Sequence, residues 1–146
     1  MRRREEEYLE TMYILMKRKK VIRVKDLSKA LGIKPPSVIE YLKRLAEKGL
    51  IHYEKYEYIF LTDEGLAIAK RVYERHLALR EFLSDILMLP NDIAEKDACR
   101  MEHVLHDTTL ERITRLTDFI KKYSEISPEF LDNLKNHYAA MSSELP

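Results

Sequence analysis

Cys99, Glu102 and His103 stand at i, i+3 and i+4 in the stretch Asp97-Ala98-Cys99-Arg100-Met101-Glu102-His103. On a helix these three side chains share one face. Thiolate, carboxylate and imidazole are all metal donors, and a set that mixes them suits a transition ion better than calcium or magnesium. The chain has 1 cysteine, so no internal disulfide forms, and a reducing cytoplasm is the expected compartment. Plainer readings fit the same spacing: a small Cys facing a core, and a Glu–His pair in solvent. His-x-x-Glu-His, a related spacing, marks inverted zinc peptidases, but here Cys99 stands in the first position.

The frame that must hold these residues is helical. The chain has 146 residues, 45% hydrophobic and 35% charged, with 3 glycines and no tryptophan. That composition suits a folded, helix-rich chain of one domain or two small ones. No run approaches the ~18–20 apolar residues that span a bilayer. Met1-Arg2-Arg3-Arg4 is followed by Glu5-Glu6-Glu7 and not by an apolar stretch, so it does not read as a signal peptide. Charge is uneven: residues 1–64 carry 15 Lys and Arg against 11 Asp and Glu, and residues 65–146 carry 11 against 14. A basic front half points to a polyanionic partner for that half.

Leu9, Met12, Tyr13 and Met16 recur at helical spacing and predict an amphipathic helix over about residues 5–18. Val24 to Leu31 predicts a short helix stopped by Gly32, and Pro35-Pro36-Ser37 opens another on Val38, Leu42 and Leu45. Two short helices across a Gly-containing turn read as a helix-turn-helix, with a generic αα-hairpin as the alternative. Leu50 to Leu61, rich in β-branched and aromatic residues, predicts two strands turning near Glu54 to Glu57, that is, a wing. One long helix is expected from Leu66 to about Leu89, broken by Pro90-Asn91. Further helices are expected at about 92–105 and 109–123, with a last one starting at Ser127-Pro128.

The string Asp97 to Val104 resembles the core motif of the diphtheria toxin repressor family, iron- or manganese-dependent transcriptional repressors. Glu6-Glu7-Tyr8-Leu9-Glu10-x-Met12-Tyr13 looks like that family's first helix, and Arg75-His76 falls where the family places a ligand histidine. Order and spacing agree over about residues 5–140, and the chain is similar to the short members that lack an SH3-like domain. The resemblance implies a mainly α fold. A winged helix-turn-helix occupies 1–64, a helical metal-binding and dimerisation domain 65–141, and a loose tail 142–146. It implies a regulator and not an enzyme, with Glu7, Glu10, His76, Cys99, Glu102 and His103 as metal ligands. A metal held by donors from both halves would tie those halves together.

Cys99 matches the iron-type members, whereas Glu7, where iron-type members carry Met, matches the manganese type. Fe(II) or Mn(II) is therefore the expected cofactor, with Co, Ni or Zn as substitutes in vitro. Arg80 stands where iron-type members carry an ancillary Glu, and Glu95 where they carry a His.

The expected partners are double-stranded DNA, read as a palindrome, and a second copy of the chain, with no membrane. Ser37, Glu40 and Tyr41 are expected nearest base edges. Lys34, Lys43, Arg44 and Lys55 are expected nearest phosphate, and Pro36 sits in the same helix start. Phe82, Leu83, Ile86 and Leu87 are expected at the dimer surface, with intramolecular packing as the alternative. A winged-helix regulator sensing an organic ligand or redox state through Cys99 is a rival reading. A zinc metallohydrolase is another, although it gives the helix-turn-helix no role.

Overall fold

In the computed structural model, residues 2–54 and 58–144 are described, with side chains from residue 3 to residue 140 within those ranges. Lys55, expected on the wing, and the expected wing turn at 55–57 lie outside the described residues. Two compact units divide after Glu74. No helix among the described residues is long and apolar enough to cross a membrane.

The first unit contains α1 (Arg2–Met16), α2 (Val24–Leu31), α3 (Pro35–Glu47), β1 (Ile51–His52), β2 (Phe60–Leu61) and the start of α4 (Asp63–Glu81). Gly32 ends α2 in the left-handed region, φ 67°, where a glycine carries no Cβ penalty, and its N–H donates to the Ser28 carbonyl. Pro35 fits the first turn of α3 because the amide it lacks has no intrahelical partner there. β1 and β2 pair antiparallel, Ile51 opposite Leu61, and Ile59 extends the pairing to Ile22. The core gathers Tyr8, Leu9 and Met12 of α1 with Leu27 of α2 and Val38, Leu42 and Leu45 of α3, as their 3.6-residue spacing predicts. Ala69 of α4 belongs to the same core. This is why the first unit reaches past the boundary at 64.

The second unit continues α4 into a π-helical turn (Phe82–Ile86), then α5 (Asn91–Met101), α6 (Asp107–Ile126) and α7 (Glu129–Glu144). The single long helix expected to Leu89 is thus interrupted. The Leu87 amide reaches back five residues to the Phe82 carbonyl at 3.0 Å, and Met88 takes φ 57°. Leu79, Leu83, Ala94 and Ala98 form its core, with Met101, Leu105, Leu110 and Ile113 packed on it. α7 runs to Glu144, beyond the tail boundary expected at 142.

Candidate metal centre

α5 stops at Met101, four residues before its expected end. Glu102 nevertheless keeps helical geometry, with its amide bonded to the Ala98 carbonyl at 3.0 Å. The ligand motif therefore spans a helix end: Cys99 on the last turn, Glu102 at the cap and His103 in the following turn. Such termini leave carbonyls without intrahelical partners. Here an arginine supplies donors at the cap and in the turn beyond it. Arg75 donates from Nε to the Glu102 carbonyl (3.0 Å) and from Nη2 to the Leu105 carbonyl (2.9 Å).

α4 delivers His76 to this helix end. Its ring is 4% exposed, and its Nδ1 lies 2.8 Å from Glu102 Oε2. Its Nε2 lies 2.8 Å from Glu95 Oε1, and Cys99 Sγ is 3.8 Å from Nδ1. Glu102, 1% exposed, presents its other oxygen to His103 Nε2 at 3.0 Å. Donor atoms of His76, Glu95 and Cys99 all lie within 4.8 Å of one another. Within the second unit, His76, Cys99, Glu102 and His103, expected from sequence, come together. Glu95 joins them.

Glu95 did not figure among the expected ligands. Its signal was available: it lies four residues before Cys99, on the same helix face. Its outer oxygen is 3.4 Å from Arg80 Nη1. A neutral imidazole donates from one nitrogen only. Two carboxylates on the two nitrogens of His76 are therefore served by a second proton or by a cation at one of them. The donor set, one thiol with imidazoles and carboxylates, fits a divalent transition ion. Cys99 is exposed, which leaves the cluster a route to solvent.

Glu7 and Glu10 lie on α1 in the first unit. Glu10 is buried, and Glu7 pairs with Arg3 at 3.2 Å. Of the residues expected on DNA, Lys34, Pro36, Ser37, Glu40, Lys43 and Arg44 are exposed along α3. Tyr41 is half-buried, its ring stacked on Tyr8 at 4.4 Å, and burial pushes its phenol pKa up. A second basic group, not among the residues expected on DNA, is formed by Lys20, Arg23 and Lys25: all three are exposed, and the Arg23 guanidinium sits over the Tyr58 ring beside the wing.

The residues expected at the dimer surface pack within the unit, as the intramolecular alternative has it. Leu83 and Ile86 are each 4% exposed, and Phe82 and Leu87 pack against the unit's own core. Phe82 and Leu87 stay partly exposed. Among the described residues, the exposed large apolar side chains of this unit are Ile93, Val104 and, along α6, Leu116, Phe119, Tyr123 and Ile126.

A family model described as the iron dependent repressor N-terminal DNA binding domain matches residues 1–59. The iron dependent repressor metal binding and dimerisation domain matches residues 62–131. The chain belongs to the iron-dependent repressor family. It is a metal-dependent transcriptional regulator in which a DNA-binding domain precedes a metal-binding and dimerisation domain. An HTH-type transcriptional regulator of Methanocaldococcus jannaschii is 36% identical over 121 residues, covering 82% of this chain and 94% of that one. The HTH-type transcriptional regulator MntR of Bacillus pumilus is 34% identical over 122 residues, covering 84% of each. A solved manganese-dependent transcriptional repressor in complex with manganese superposes with a TM-score of 0.73 at 26% identity. That match covers 79% of this chain and 53% of the solved one, so the chain spans about half the length of that relative.

Proposed function

We propose that this chain represses transcription when a divalent transition metal, Mn(II) or Fe(II), occupies a centre built from His76, Cys99, Glu102 and His103, with Glu95 as an additional donor. The observation that carries the reading is Glu102: a carboxylate 1% exposed, placed against one imidazole on each oxygen. A buried carboxylate is stable there only with positive charge or strong donors around it. A bound cation supplies that charge. Glu7 and Glu10 are proposed as further donors on the resemblance alone. Glu7 and the manganese-dependent relatives favour Mn(II), and Cys99 favours a softer ion such as Fe(II).

DNA is read by the exposed side of α3, with Ser37 and Glu40 toward base edges and Lys34, Lys43 and Arg44 toward phosphate. A second copy of the chain provides the matching half-site reader on a palindrome. The proposed dimer seam is α6. Leu116, Phe119, Tyr123 and Ile126 repeat at spacings of 3, 4 and 3 residues, the pattern by which one helix packs along another.

The test is a duplex selected from a random pool by Mn(II)-loaded protein, then titrated by fluorescence anisotropy with Mn(II), Fe(II) or chelator. Tighter binding with metal, by the ~5- to 150-fold typical of allosteric coupling, supports the proposal. Equal affinity in all conditions contradicts it. A redox reading has one observation in its favour, the exposed Cys99 thiol 3.8 Å from an imidazole. Under that reading, oxidant shifts DNA affinity in the presence of chelator.

A further inference from the structure

We propose that Arg75 is the positioning residue of the metal centre: it holds no ion itself but fixes the turn that carries Glu102 and His103. The inference rests on the metal reading above.

The turn from Glu102 to His106 joins α5 to α6 and contains no glycine or proline, so no special backbone residue sets its path. Arg75 sets it from outside. Its guanidinium donates through Nε to the Glu102 carbonyl at 3.0 Å and through Nη2 to the Leu105 carbonyl at 2.9 Å. Its Nη1 binds the Asp107 carboxylate, on the first residue of α6. One side chain, 16% exposed, thus clamps the end of one helix, the turn, and the start of the next.

The planar fork of a guanidinium provides donors in fixed directions, which an ammonium does not. A cation at a helix C-terminus also faces the negative end of that helix, and Asp107 faces the positive end of α6. Placement is economical: α4 contributes consecutive residues, His76 to the donor set and Arg75 to the backbone of the other donors.

Metal affinity depends on donor atoms being held within a few tenths of an ångström, and groups that only orient ligands typically contribute 10- to 100-fold. Removing the Arg75 fork therefore weakens metal binding with every donor side chain still present.

The experiment is Co(II) titration of the full chain, read by its visible ligand-field and thiolate charge-transfer bands. It compares wild type, Arg75→Met and Arg75→Lys, with thermal unfolding of the chelated proteins alongside. Expected are Co(II) affinity about 10- to 100-fold lower in Arg75→Met, an altered band pattern, and partial recovery in Arg75→Lys. Either folded variant with wild-type affinity and bands overturns the proposal, including the case where only the melting temperature falls. If Arg75→Met does not fold, Arg75→Lys decides by the same criterion. If wild type itself binds no Co(II), it is the metal reading that fails, a result distinct from failure of the Arg75 clamp.

Discussion

The ring of Tyr8 stacks on the ring of Tyr41, with centroids 4.4 Å apart and planes 24° from parallel. The pair joins α1 to the helix proposed to read DNA. A second link, Lys48 Nζ to Glu5 Oε2 at 2.6 Å, joins α1 to the residue that caps α3. α1 also bears Glu7 and Glu10, so any displacement of that helix is felt at α3. Tyr8→Leu keeps most of the buried volume and removes the stack. It is expected to cost about 1–2 kcal/mol in urea unfolding, since aromatic pairs contribute ~0.5–1.5 kcal/mol beyond area burial. The gain in DNA affinity on metal addition should shrink with it. An unchanged gain would show that the stack stabilises the first unit without coupling it to metal.

Gly65 approaches the chain more closely than any side chain permits. A Cβ there would stand 2.0 Å from the Leu50 carbonyl oxygen, a backbone atom that cannot swing away. Gly65→Ala must displace the start of α4 from the wing, at an expected cost of at least ~1–3 kcal/mol. Chemical denaturation checks this, and wild-type stability would contradict it.

Asp26 makes stability pH-dependent. Lys19 donates to its carboxylate at 2.7 Å, and the Arg23 amide donates to it at 2.9 Å, closing the start of α2. The Lys19 hydrogen bond, foremost, holds its pKa below the ordinary 3.8. A carboxyl lowered in the folded state contributes fully above its unfolded value. It loses that contribution as pH falls through the folded one. Asp26→Asn should therefore cost about 1 kcal/mol at neutral pH, the usual scale for a lost helix-start contact. The difference from wild type should close below pH 3.8. A gap that persists in acid would assign the loss to packing.

Phe119 lies in the middle of the exposed α6 stripe. Phe119→Glu places a charge in the proposed seam and should convert the dimer to monomer in sedimentation velocity without lowering thermal stability of the unit. A dimer that survives the change puts the interface elsewhere.

Much of the fold was legible because its determinants are local. Val38, Leu42 and Leu45 declare one buried face, Gly32 and Pro35 mark a stop and a start, and Ser127-Pro128 marks the last helix. The end of α5 was not legible. No breaker follows Met101; beyond it Arg75, distant in sequence, takes the carbonyls of the cap residue Glu102 and of Leu105 in the turn. The π-helical turn was hidden for a related reason, since the apolar spacing of Leu79, Leu83 and Ile86 suits one unbroken helix. That same spacing suits both core packing and an interface. Cys99, Glu102 and His103 were legible as donors by type and spacing and His76 by resemblance; Glu95 shares the Cys99 face by spacing, and the packing of α5 beside α4 makes it a neighbour of His76.

The most direct test is anomalous diffraction from crystals of the full chain grown with Mn(II), collected to distinguish manganese from lighter ions. A manganese peak is expected within coordination distance of Glu102, His103 and His76. A manganese peak confined to other residues, or none with Glu102 and His103 turned away from each other, would contradict the proposed centre.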